Sequence, residues 1–374
     1  MKKFIKEYKK LLIIIAIPYL FIVLSSIIKV NYDITTPAVI SKVSSEINIG
    51  NSDICNVNTV SVYSYSKVSL LNYLIGLINK NAQIEKTYEY QVTDTNQMYS
   101  SGVIQKRVSI YNAIISGYQA AGYQEIIDEN SFKGYIIHTL SSYASEKLQV
   151  GDIITRFEGK DLKGLTGNNE FELATENLLF KKNKKYQIAV LRQVEETKNN
   201  YITKEFEFEI STEYYYNKED KKIASLGIAT YEYVVPTKNQ NIPSYSWQYG
   251  NSIGPSGGLM QALYVYDSLK NNNLTKGLRI VGTGTVDAYG NAGPIGGIYQ
   301  KVLAAHLANA DIFFVPVSSL EEEIYMNESN YLEAISSYQN LKNPKMKLVV
   351  VSSLNDIINY LKNMQNGPKV GKGA

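Results

Sequence analysis

An uncharged run from Leu11 to Ile28, interrupted only by Pro18 and the pair Ser25–Ser26, sets the first limit on what this 374-residue chain can fold into. As a helix it is about long enough to cross the hydrocarbon core of a bilayer. Lys2, Lys3, Lys6, Lys9 and Lys10 precede the run and Lys29 follows it. That asymmetry predicts a cytoplasmic N-terminus, with everything beyond residue 30 on the outer side of the cell membrane. A cleaved signal peptide is the alternative. The run is longer than a usual signal core, however, and no A-x-A site follows it. Residues 1–30 are therefore read as a basic tail and an uncleaved single-pass anchor, with the folded part in a compartment without ATP.

The remaining length is enough for two domains. A net charge of +3 with scattered lysines gives no electrostatic footprint for nucleic acid. Cys55 is the single cysteine, so an intrachain disulfide and a thiolate cluster are both excluded. Only His138 and His306 are present and no H-E-x-x-H occurs, which argues against a zinc hydrolase. No metal and no cofactor is expected.

Residues 31–58 are polar and turn-rich and read as a stalk. A strand is predicted over Val60–Tyr65 and helices over Val68–Ile78 and Val103–Gly122, so that 31–129 is a mixed segment without clear domain membership. From residue 130 the grammar changes to short strands. Gly134–Thr139, Gly151–Lys160, Tyr186–Arg192 and Glu205–Ile210 are β-like, with a helix over Glu170–Leu179. His138 falls in the first of these strands and reads as structural. From residue 220 strands and helices alternate. Ile223–Val235, Leu278–Gly282, Ile312–Val317 and Lys347–Ser352 are strand-like, with helices after Gly258 and over Gly297–Asn309. Residues 366–374 are read as a flexible tail.

Two glycine-rich segments carry candidate chemistry. Gly254-Pro255-Ser256-Gly257-Gly258 puts a serine between small residues at a loop-to-helix junction. A carbonyl can approach closely there, and free N–H groups at the helix start can hold an oxyanion. The same residues also fit a plain turn with an N-cap serine. Pro255 sets the segment apart from the strand-to-helix elbow of α/β-hydrolases, and a triad through His306 has no supporting motif. Lys301 is the better base for Ser256. It follows Gly293-Pro294-Ile295-Gly296-Gly297 and lies at the edge of a stripe formed by Ile298, Val302 and Ala305. Desolvation there would favour the neutral amine, which could take the serine proton. A working pair requires about 3 Å between amine and hydroxyl. The wheel alone leaves open a surface lysine that snorkels. The glycines from 282 to 297 give no G-x-G-x-x-G after a strand, so a nucleotide-binding reading is set aside.

Taken together, the segments around Ser256 and Lys301 resemble the proteolytic domain of the Lon protease family, over roughly residues 220–365. Thr283, in Val281-Gly282-Thr283-Gly284-Thr285, matches a family threonine that hydrogen-bonds the lysine. Residues 130–215 resemble a PDZ domain through Gly134-Tyr135-Ile136-Ile137, Ala144–Leu148 and Val150-Gly151-Asp152-Ile153-Ile154. That resemblance implies that Gly134, Tyr135 and Ile136 cap a peptide C-terminus beside a strand edge open to an added strand. No G-x-x-x-x-G-K-S/T loop is present, so the ATPase part of typical Lon is missing. The order of segments resembles bacterial membrane-anchored PDZ–Lon-type serine peptidases.

The expected fold class is therefore an α+β multidomain protein: an N-terminal transmembrane helix, a PDZ-like β-rich domain and a Lon-type proteolytic α/β domain. The resemblance implies ATP-independent cleavage of flexible or unfolded polypeptides by a Ser256–Lys301 dyad, with Thr283 positioning the lysine. The expected partners are polypeptide substrates and the membrane, with homo-oligomerisation left open. The competing expectation is a catalytically inactive membrane-tethered binding scaffold.

Overall fold

The computed structural model describes residues 8–50, 56–87, 95–162, 183–197, 200–216, 222–271 and 274–366. Cys55, the helix expected over Glu170–Leu179 and the tail beyond Asn366 lie outside them. The chain is a mixed α/β structure preceded by one helix, α1 (Lys9–Ile27), that is long and apolar enough to span a membrane. At 1.5 Å per residue its 19 residues rise about 29 Å. Almost every residue of α1 for which burial is described is exposed.

The strands are β1 (Tyr32–Lys42), β2 (Ile47–Ile49), β3 (Val57–Tyr65), β4 (Gln83–Lys86), β5 (Phe132–Leu140), β6 (Ile153–Phe157), β7 (Lys160–Asp161), β8 (Lys185–Thr197), β9 (Asn200–Ser211), β10 (Glu213–Tyr216), β11 (Lys222–Ser225), β12 (Ile228–Val234), β13 (Tyr245–Trp247), β14 (Ile280–Gly282), β15 (Thr285–Val286), β16 (Ala292–Gly293), β17 (Ile312–Pro316) and β18 (Lys347–Val351). The helices after the anchor are α2 (Leu70–Ile78), α3 (Thr95–Ala120), α4 (Gly258–Lys270), α5 (Ile298–Leu307), α6 (Glu322–Tyr325), α7 (Ser329–Gln339) and α8 (Leu354–Asn366).

One sheet runs β18-β17-β14-β3-β1-β4. The first four strands are parallel, and β1 and β4 are added antiparallel. Strands β14, β17 and β18 are apolar on both faces because helices cover both sides, whereas β3 carries Asn58, Thr59 and Ser61. Along β17, Ile312 and Phe314 join one core with α3, α4 and α8, while Phe313 and Val315 join a second with α5 and α7. Ile280 and Val281 of β14 divide the same way, as the two-residue period of a strand requires.

The other large sheet is antiparallel, in the order β12-β5-β6-β8-β9 with β7 on β6. The Gly151–Asp152 turn anchors it. The buried Asp152 carboxylate accepts Arg192 Nε and Nη2, each at 2.6 Å, and Gln149 N at 2.8 Å. Helix α3 ties the sheets together. Ile104 and Val108 pack with Ile136 and Tyr233 of the antiparallel sheet, while Ile110 and Ile114 belong to the core that α4 shares.

Two boundaries differ from those read in the sequence. Residues 31–58 are no stalk: β1 lies between β3 and β4 inside the α/β sheet. Its alternation is hidden because most of its residues are only half-buried and a register shift falls between Pro37 and Ile40. The strand read as Ile223–Val235 is two strands in two sheets, and β12 pairs with β5 rather than with the strands of 278–352. Local periodicity marks a strand but not its partner, so a cut at residue 220 could not be corrected from pattern alone.

Candidate active site

Ser256 lies just before α4, but it does not cap the helix. Gly257 is the N-cap and the cap has no side-chain hydrogen bond, so the plain N-cap reading of this serine does not hold. Its loop is gripped from α3: Gly254 N donates to Gly102 O at 2.9 Å and Ser109 Oγ donates to Pro255 O at 2.9 Å. A Cβ at Gly258 would stand 2.6 Å from Ser109 Oγ. Glycine is therefore what allows α4 to start this close to α3. The Ser256 carbonyl accepts two bonds from the segment after β14, from Gly284 N at 2.8 Å and from Thr283 Oγ1 at 3.0 Å. The N–H groups of Gly258 and Leu259 are taken by Pro255 O and Gly284 O. Of the donors expected to hold an oxyanion, those of Ser256 and Gly257 have no backbone partner among the described residues.

Lys301 is one turn into α5, on the opposite face of the sheet. Its side chain is 2% exposed and ends at the carboxyl end of β14, where Nζ donates to Thr283 Oγ1 at 3.2 Å. Burial pushes its pKa down to about 7, because a dry surrounding disfavours the ammonium. Thr283 is fully buried and links the other two residues: its hydroxyl accepts from Lys301 and donates to the Ser256 carbonyl. The lysine nitrogen is thus bonded to Thr283 Oγ1 and not directly to Ser256 Oγ. An uncharged amine held this way keeps its lone pair. Ser256 and Lys301 line one cleft of about 290 Å³, whose wall includes Thr59, Gly254 and Gly257. The cleft lies at the carboxyl end of β14, between helices on opposite faces, which is the usual place for a site in a sheet of this type.

Lys106, which the sequence reading did not single out, lines the same cleft. It is 3% exposed and pairs with the buried Glu46 at 2.8 Å, while Gln261 Nε2 donates to the same carboxylate oxygen at 2.7 Å. The signal was present: Lys106 stands at i with Ser109, Ile110 and Ala113 at i+3, i+4 and i+7, all buried.

The remaining candidates lie elsewhere. His306, in the last turn of α5, is not among the cleft's lining residues. His138 stacks on Tyr231 at 4.1 Å, bonds Gln105 and Thr139 through Nδ1, and has its pKa lowered by burial to about 4. Gly134, Tyr135 and Ile136 do not border an open strand edge. Tyr135 pairs with Glu232 on one side and Ile154 on the other, and Ile136 with Tyr231 and Ile153. A Cβ at Gly134, where φ is +123°, would stand 2.1 Å from Ile154 O, so this glycine serves strand packing. The outer edge on that side of the sheet belongs to β12. Among the described residues no group of three His, Cys, Asp or Glu is placed to hold a metal ion.

No protein-family model matches the chain, and no curated protein matches it in sequence.

Proposed function

We propose that the chain is an ATP-independent, membrane-anchored serine endopeptidase of the Lon type that uses a Ser256–Lys301 dyad on flexible polypeptides outside the cytoplasmic membrane. One observation carries this reading. Lys301 is buried with no carboxylate partner among the described residues, with a pKa lowered to about 7 and with Thr283 holding its amine beside the Ser256 loop. Burying a lysine costs stability, and a binding scaffold would have no use for that cost. A general base poised near neutral pH has one.

In the reaction the neutral amine takes the Ser256 Oγ proton as the oxygen attacks the scissile carbonyl. The resulting ammonium then protonates the leaving amine, and water hydrolyses the acyl-enzyme with the same amine as base. The step requires Nζ to pass from Thr283 Oγ1 to Ser256 Oγ. Catalytic hydrogen bonds of this kind often tighten only with substrate bound.

The cleft also suggests how a chain is held. β14 pairs with β3 only from Val57 to Thr59, whereas β1 pairs with β3 as far as Tyr65. From Val60 to Tyr65 one edge of β3 therefore faces the cleft without a strand neighbour among the described residues, and an extended substrate can add to it. The antiparallel sheet, read as PDZ-like, would take a second stretch of chain along the outer edge of β12 rather than beside Gly134–Ile136.

The deciding test is cleavage of an unfolded fluorogenic polypeptide by the full-length protein in detergent or nanodiscs. Ser256→Ala should remove turnover while leaving the melting temperature near that of the parent. Unchanged cleavage by that variant would end the dyad proposal.

A further inference from the structure

Helix α2 carries an apolar face that nothing covers among the described residues. Gly76 is buried against Ile34 of β1 and Ile84 of β4. At about 100° per residue, Leu74 and Ile78 point directly away from it, with Ile75 and Leu77 to either side. All four are exposed, Ile78 to 82%. Isolated exposed apolar residues are ordinary on a protein surface. A helix face made only of them marks a contact surface.

The position of α2 identifies the occupant. The chain leaves α1 and is tied at once to the start of α2: Leu70 N donates to Ile28 O at 2.8 Å, Val30 N donates to Val68 O at 3.0 Å, and Lys29 bridges Ser69. The uncovered face therefore begins at the level where the apolar helix α1 ends. The rings of Tyr32 and Tyr73 meet there, tilted by 35° with centroids 4.6 Å apart, in keeping with aromatic residues at a membrane–water boundary. Lys29 and Lys80, both exposed, stand near its two ends, where anionic headgroups would meet them.

We infer that α2 is a second membrane contact: an interfacial helix whose Leu74–Ile78 face enters the outer leaflet of the bilayer that α1 crosses. The inference rests on the anchor reading of α1. A single spanning helix leaves the attached domain free to swivel and tilt. A second contact on β1 and β4 fixes the α/β sheet, and with it the Ser256 cleft, at a set height and orientation above the lipid. Substrates would then be chain segments close to the membrane surface.

The test uses the full-length protein in liposomes of phosphatidylcholine and phosphatidylglycerol. Single cysteines are placed at Phe21, Ile78 or Leu307, in a Cys55→Ser background, and labelled with an environment-sensitive fluorophore. Each of the three positions is exposed, so the label displaces no core. Nitroxides on the lipid acyl chains are the quencher. Phe21→Cys and Ile78→Cys should each lose at least about half of their emission, and Leu307→Cys should lose none. If Phe21→Cys is quenched while Ile78→Cys behaves like Leu307→Cys, the anchor stands and the second contact is refuted. If Ile78→Cys escapes the lipid quencher but cross-links to a second copy, the face is an interface between copies and the inference fails. If Phe21→Cys also escapes, the anchor reading fails and takes this inference with it.

Discussion

Two lysines reach one cleft from opposite sides, and the chain treats them in opposite ways. Lys106, from α3, meets the Glu46 carboxylate at 2.8 Å, and Gln261 shares that carboxylate. Lys301, from α5, meets the hydroxyl of Thr283 and no carboxylate among the described residues, and burial lowers its pKa to about 7. Burial is nearly equal for the two, so the difference lies in the partner. A charge matched by a carboxylate joins α3 to the segment after β1 and supports α4 beneath the Ser256 loop. An amine with no carboxylate partner among the described residues gives up its proton more readily, as the proposed base must. Under the proposed function the contrast gives Lys106 to architecture and Lys301 to chemistry, and each half can be broken separately.

The largest effect is expected at Lys301. Lys301→Met keeps the length and removes the amine, and turnover should fall by at least about 10³-fold. The same variant should gain about 1–4 kcal/mol in stability near pH 7, because an apolar chain suits a dry site better than a lysine does. The direction of the pH dependence follows from the lowered pKa. Between about 7 and 10.5 the unfolded chain holds a proton that the folded one has released, so parental stability should rise with pH across that window. Below about pH 7 the penalty is complete and constant. The advantage of Lys301→Met should therefore shrink as pH climbs, which denaturant melts at pH 6.5 and 9.5 would measure. Loss of stability together with activity would mean that Lys301 is structural.

The next effect is at Glu46. Glu46→Gln leaves the Lys106 ammonium buried without its counter-charge, and about 3–5 kcal/mol of stability should be lost. Lys106→Met strands the carboxylate and should cost a similar amount. The double variant removes both charges and should be more stable than either single one, a coupling that a double-mutant cycle by denaturant melting reads directly. Additive losses would mean that the two groups do not depend on each other and that the proposed division of labour is wrong.

What could be read from the sequence divides along the same line. Ser256, Thr283 and Lys301 stand in short segments whose glycines and spacing are visible locally, and the fold brings all three to the end of β14. Strand β3 was likewise legible from its alternation over Val60–Tyr65, and β6, β14, β17 and β18 from their apolar runs. Long-range pairing was not. Glu46 and Lys106 are 60 residues apart, and Glu46 and Gln261 are 215 apart. Glu46 and Gln261 alone read as surface polar residues, and the helix face that Lys106 shares with Ile110 and Ala113 does not name its partner. β12 failed for the same reason, since a strand's own period says nothing about which sheet will accept it, whereas β1 failed because half-burial and a register shift hide its period. The Gly134–Ile136 reading failed because a glycine demanded by the Ile154 carbonyl looks the same in sequence as one demanded by a ligand.

The finest distinction between the two lysines is in the pH profile. If the neutral amine of Lys301 is the base, kcat/KM should rise about tenfold per pH unit on the acidic side and level off above an apparent pKa of about 7. Thr283→Val removes the hydroxyl that accepts the Lys301 N–H and donates to the Ser256 carbonyl. It should lower kcat by about 10–100-fold with KM little changed, since the loss is in aiming the base rather than in holding the chain. Thr283→Ser restores the hydroxyl without the methyl group and should recover most of the rate. Lys106→Met removes no proton-transfer group, so whatever activity it retains should keep the same acidic limb. A profile that moves with Lys106 and not with Lys301 would exchange the roles of the two residues, and the chemistry would then have to be sought on the α3 side of the cleft.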